Sequence, residues 1–65
     1  MTRRFAIKMW MAKREIESEY ILAEKAGIST KTMSRIMNNE NVTMRTLSKL
    51  ADALDVDLTE LLKGR

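Results

Sequence analysis

Thr30, Lys31, Ser34 and Arg35 place two long cations and two short hydroxyls within one stretch of chain. On a helix these positions run i, i+1, i+4 and i+5 and share an outward face near its N-terminal end. Such a face makes hydrogen bonds; it does not break covalent ones. Lysine and arginine donate to acceptor-rich partners, and an arginine fork presents two N–H groups together. An ordinary solvated helix face has the same composition, so the surrounding elements must decide between the two readings.

The rest of the chain offers little to any other chemistry. Its 65 residues contain no histidine and no cysteine, which removes imidazole and thiolate metal ligands, disulfides and the usual nucleophile–base pairs. It has no glycine-rich phosphate loop and no cluster of carboxylates on one face. Asp52 and Asp55 are expected at an exposed helix end, where charges are normally solvated. An enzyme, a cofactor, a metal and a small-molecule ligand are therefore not expected.

Net charge is +3. Residues 1–35 hold eight basic against four acidic side chains, and residues 36–65 hold four against five. A basic half suits a polyanion, although uneven surface charge gives the same numbers. The longest apolar run is four residues, far short of the ~20 needed to span a bilayer. Lys8 interrupts the apolar stretch near the N-terminus, so a mature cytoplasmic protein is expected rather than a signal peptide.

An all-α fold follows from caps and periodicity, with residues 1–65 expected to form one domain. Thr2 caps a first helix running to about Arg14, rich in Phe5, Ile7, Met9, Trp10 and Met11. Ser18 opens a second, with Leu22, Ala23 and Ala26 inward, and Gly27 ends it in a left-handed conformation. Ser29 caps a third helix to about Asn38, where Met33, Ile36 and Met37 mark the buried stripe. Asn39 stands in for a terminal glycine. Thr43 caps a fourth helix, with Leu47, Leu50, Ala51 and Leu54 inward. Asp57 caps a short fifth that carries Leu58, Leu61 and Leu62 and closes at Gly64. Trp10 and the six methionines suit core packing, although the first helix has more apolar surface than one buried stripe requires, enough for a protein-contact patch.

The informative stretch is residues 18–38: two short helices joined by Ala26-Gly27-Ile28-Ser29. Ala23 permits a close crossing, Gly27 makes the turn, and Ile28 fills the corner. Together with Leu22-Ala23-Glu24-Lys25, Met33-Ser34-Arg35-Ile36 and Asn38, this segment resembles the Cro/phage-repressor helix-turn-helix family, also called xenobiotic-response-element-like. The likeness continues through Asn41-Val42-Thr43-Met44-Arg45-Thr46-Leu47, Leu50-Ala51 and Ala53-Leu54, and covers roughly residues 5–63. It implies a compact five-helix, lambda-repressor-like DNA-binding domain with the helix-turn-helix at helices two and three.

On this resemblance Thr30, Lys31 and Arg35, with Ser34 as a weaker fourth, are expected to read base edges. Lysine and arginine suit guanine O6 and N7, and a threonine methyl suits a thymine methyl. Ser18, Ser29, Thr32, Asn38, Asn41, Thr43 and Arg45 are expected to meet phosphates, many of them at helix starts. Arg3, Arg4, Lys8, Lys13 and Arg14 are expected to add nonspecific attraction or simply to be solvated. Three positions depart from the family pattern. Glu19 replaces a phosphate-binding glutamine and would repel phosphate unless turned away. Met37 replaces a glutamate that pairs with an arginine of helix one, with Asn39 for the glycine that follows. Glu40 replaces a basic residue, which should weaken attraction between the following loop and the DNA backbone. The expected partners are double-stranded DNA and a second copy of the chain, docked through helix five and the C-terminal segment. The alternative is an antitoxin that also binds a toxin protein; a protein-interaction module without DNA is a third reading.

Overall fold

A computed structural model describes residues 2–62. Five helices follow one another: α1 (Arg3–Lys13), α2 (Glu19–Ala26), α3 (Thr30–Met37), α4 (Met44–Leu54) and α5 (Leu58–Leu62). The expectation of five helices holds, with boundaries within a residue of those read from the sequence. Gly64, expected to close the last helix, lies outside the described residues.

Every one of the first four helices begins the same way. The hydroxyls of Thr2, Ser18, Ser29 and Thr43 accept from the backbone N–H of Phe5, Ile21, Thr32 and Thr46. Each cap satisfies a donor that the helix leaves unpaired and contributes about 1 kcal/mol. These four helices also end alike. Glu15, Gly27, Asn39 and Asp55 take left-handed backbone angles at or just past the helix end. The next residue then donates to a carbonyl five positions back: Ile16 to Met11, Ile28 to Ala23, Glu40 to Arg35 and Val56 to Ala51, at 2.9–3.0 Å. This is the Schellman closure, in which an apolar residue after the left-handed one normally folds back onto the core. Ile16, Ile28 and Val56 do so; Glu40 does not, being exposed.

Gly27 and Asn39 advertise a left-handed position by residue type, and Asp55 does so more weakly. Glu15 and Asp55 adopt it at a cost of about 1 kcal/mol each, offset by the hydrogen bonds and the apolar closure that follow.

The core is assembled from one stripe per helix. Ile7 and Met11 of α1, Leu22 and Ala23 of α2, and Met33, Ile36 and Met37 of α3 meet Leu47, Leu50, Ala51 and Leu54 of α4 and Leu61 of α5. α2 packs on both α3 and α4, while α1 reaches α3 on one side and α5 on the other. Among the described residues no polar or charged side chain is fully buried. The apolar surplus on α1 is smaller than expected: Met9 and Trp10 are half-buried, leaving Phe5 exposed. Trp10 packs against the core, with Lys13 Nζ 4.8 Å and Arg14 Cζ 5.1 Å from its ring centre. Its use is packing, as expected.

α1 also corrects an expectation about charge. Arg3 Nε donates to the Ile36 carbonyl (3.2 Å), and its Nη2 donates to the Glu40 carbonyl (2.7 Å). Arg14 Nε and Nη2 donate to the carbonyls of Leu54 (2.8 Å) and Asp55 (3.0 Å). The two arginines thus bind the carboxyl ends of α3 and α4, where orphan carbonyls and the helix dipole favour a cation. Partial burial lowers the Arg3 pKa below its ordinary value through desolvation. Arg3 and Arg14, although partly open to solvent, are structural clamps.

Gly27 carries a backbone prediction. A Cβ built there meets no atom within 4 Å, so any penalty comes from its φ of +72° alone. Gly27→Ala should lower the melting temperature by roughly 4–8 °C, equivalent to about 1 kcal/mol. Gly27→Asn should lower it less, because asparagine tolerates the left-handed region. Equal melting temperatures for the parent and Gly27→Ala, followed by circular dichroism, would contradict this account.

Candidate nucleic-acid interface

The turn between α2 and α3 takes its shape from its own residues. Gly27 reverses the chain, Ile28 drops onto the core, and Ser29 starts α3. α3 is then held at both ends. At its start the Ser29 hydroxyl accepts from the Thr32 N–H (3.1 Å) and donates to the Thr32 hydroxyl (2.9 Å). At its finish Arg3 holds the Ile36 carbonyl. Met33, Ile36 and Met37 are 2%, 0% and 5% exposed, which fixes the rotation of the helix about its axis.

With the rotation fixed, the opposite side has one possible content. Thr30, Lys31, Ser34 and Arg35 are all exposed. They form two adjacent rows, Thr30 with Ser34 and Lys31 with Arg35, each pair four residues apart and so one turn apart on the same face. Lys31 and Arg35 are therefore open to solvent, with the row of hydroxyls beside them.

The other sequence-derived candidates fall into two groups. Ser18, Ser29 and Thr43 are N-caps, with Thr32 tied to Ser29 and Thr46 to Thr43 through hydroxyl contacts of 2.9 and 3.0 Å. Each cap hydroxyl already accepts one backbone N–H, although a hydroxyl has further capacity. Asn38, Asn41 and Arg45 are exposed around the loop from α3 to α4. Ser18 caps the helix before the turn, whereas Thr43 caps the helix after the loop and Arg45 lies in its first turn.

Two acidic residues sit near this face, and the structure gives each a partner. Glu19 Oε2 lies 3.1 Å from Lys8 Nζ, so its charge is met by α1. Glu40 Oε1 lies 3.7 Å from Arg35 Nε. Both members of that second pair are about half exposed, and its net stabilisation is small. Its geometric effect is larger: it draws Arg35 toward the helix end. Met37, where the family pattern has a glutamate, is buried apolar surface. Arg3 of α1 instead donates to backbone carbonyls of α3 and the loop.

Sequence reasoning missed the roles of Arg3 and Arg14. A signal existed for Arg3, since the family pattern already pairs a helix-one arginine with the end of helix three. For Arg14 the partner carbonyls lie 40 and 41 positions away, and backbone carbonyls leave no trace in residue type. Among the described residues no group of acidic side chains is placed to hold a metal ion, and no helix is long and apolar enough to cross a membrane.

A family model described as the Cro/C1-type HTH DNA-binding domain matches residues 6–63. No curated protein and no solved structure gives a significant match. The matched span takes in α2 to α5 whole and α1 from its fourth residue on, including the turn, the α3 face and Arg14, while Arg3 lies just before it.

The Arg35–Glu40 pair gives a prediction at this surface. Glu40→Gln releases Arg35 and removes a negative charge beside it. Affinity for duplex DNA of any sequence should rise about two- to five-fold at low salt, and the gain should shrink as salt screens the interaction. Thermal stability should stay within about 0.5 kcal/mol. Fluorescence titration at two ionic strengths measures this; unchanged binding at low salt would place Glu40 away from the bound duplex.

Proposed function

The chain belongs to the Cro/C1-type helix-turn-helix DNA-binding family, and from that premise we propose that it is a sequence-specific transcriptional repressor, reading a palindromic operator as a homodimer with α3 in the major groove. The observation that carries this reading is the orientation of α3: its apolar residues are buried and Thr30, Lys31, Ser34 and Arg35 all point outward. The major groove of B-DNA, about 12 Å wide, accepts one such helix.

In this reading Lys31 and Arg35 donate to guanine O6 and N7, while Thr30 and Ser34 meet neighbouring base edges. Ser18, Ser29, Thr32, Asn38, Asn41, Thr43 and Arg45 fix the register through phosphates on either side. They carry no sequence information directly; they position the helix that does. Recruiting the N-cap hydroxyls fits the partial positive charge at helix starts.

One domain makes few contacts, whereas two related by a twofold axis read half-sites about 34 Å apart. A face for the second copy is supported by an open groove of about 360 Å³ between the loop after α3 and the end of α5. Leu61 and Leu62 line it, with Met44, 54% exposed, beside them. Action on an operator implies a cytoplasmic protein.

A random-sequence binding selection tests the reading. It should return a palindromic site, and Arg35→Ala should then cost about 1–3 kcal/mol on that site and relax preference at one base pair. Equal loss on selected and random duplexes would reduce Arg35 to a phosphate contact. Selection of no preferred sequence would overturn sequence-specific regulation. Sedimentation showing only 1:1 binding would remove the dimer. Co-purification of a small toxin protein would shift the role to that of an antitoxin.

A further inference from the structure

Beside the Lys31–Arg35 row lies a feature that neither the caps nor the charges account for. An open groove of about 210 Å³ runs between the first turn of α2 and the outward side of α3, lined by Glu19, Tyr20, Thr30, Met33 and Ser34. Met33 is almost wholly buried, whereas Tyr20 is 65% exposed. Tyr20 contributes an aromatic ring, Met33 a thioether, and Thr30 and Ser34 short hydroxyl-bearing side chains.

The charge of the lining restricts its occupant. None of the five residues is cationic, and Glu19 contributes a carboxylate. The lining thus gives a phosphate no cation to pair with, and its one charged member is a carboxylate already paired with Lys8. An occupant with an apolar group is favoured, because the exposed Tyr20 ring beside the buried Met33 thioether offers apolar contact surface. Of the base edges displayed in the major groove, only thymine presents an apolar substituent, its 5-methyl group. Resting on the reading that α3 lies in that groove, we propose that Tyr20 and Met33, flanked by Thr30 and Ser34, seat a thymine methyl of the operator. Tyr20, on the helix before the turn, is then a specificity-determining residue that works alongside the α3 row.

Uracil differs from thymine only by that methyl, so the test replaces single atoms' worth of surface on the DNA side. In the duplex recovered by selection, each thymine is changed singly to uracil and binding is titrated. At least one position should lose affinity about four-fold, the value of one buried methyl-sized group. With Tyr20→Ala the thymine and uracil duplexes should bind within two-fold of each other. With Tyr20→Phe, which keeps the ring, the four-fold difference should remain. Tyr20→Gln replaces Tyr20→Ala if circular dichroism shows that the alanine variant does not fold, and the same loss of discrimination is expected.

Three results overturn the proposal: no thymine position responds to uracil; the response persists in full without the ring; or Tyr20→Phe weakens both duplexes equally, which would make the phenol a phosphate contact. Failure of the selection to find any preferred sequence strikes the regulator reading itself. A preferred sequence with no methyl-sensitive position strikes the thymine seat alone.

Discussion

The rotation of α3 about its own axis is the constraint on which the molecule depends. Eight residues long, that helix is too short to be stable by itself. Met33, Ile36 and Met37 anchor it in the shared core, and their burial leaves one side for everything hydrophilic. A turn of some 100° would expose three apolar side chains and bury Lys31 or Arg35 without a partner, an expensive exchange on both counts. The orientation that packs best is therefore also the orientation that displays hydrogen-bond donors.

Around that helix the chain uses one grammar for starting and stopping. A hydroxyl opens each of the first four helices, and a left-handed residue with a five-back hydrogen bond closes each. After α1, α2 and α4 the closing residue is apolar and joins the core, so termination and packing are one event. After α3 it is Glu40, which stays outside. That end is instead secured from α1, by Arg3 on the carbonyls of Ile36 and Glu40. Arg14 does the same for α4 at the other end of α1. The first helix acts as a strut whose two ends hold the two helices that flank the loop, and its basic character serves the fold before it serves any ligand.

Charge near the α3 face is moderated rather than simply accumulated. Lys8 meets Glu19, and Glu40 meets Arg35. The family relationship establishes DNA binding; the acidic residues would trim the nonspecific share of the attraction, since each subtracts from the field felt by any phosphate regardless of sequence. Specific contacts, made at short range by oriented groups, lose less by the same subtraction.

Much of this was legible in the residues themselves. Thr2, Ser18, Ser29 and Thr43 announced helix starts, Gly27 and Asn39 announced two of the left-handed ends, and Met33, Ile36 and Met37 announced the buried stripe, which settled by subtraction which side of α3 is exposed. These signals are local: they follow from backbone geometry and a fixed period of 3.6 residues, both of which a short stretch of chain contains in full. Glu15 was illegible because its side chain does not favour the conformation it adopts; Asp55 is of a type that enters it more readily, and the packing of Ile16 and Val56 holds both turns. The carbonyl partners of Arg3 and Arg14, the tether between Arg35 and Glu40, and the groove beneath Tyr20 emerged only once the helices were placed against one another. Such contacts join flexible side chains to groups fixed by the packing of other helices, and the position of those groups is a property of the closed chain, not of any segment within it.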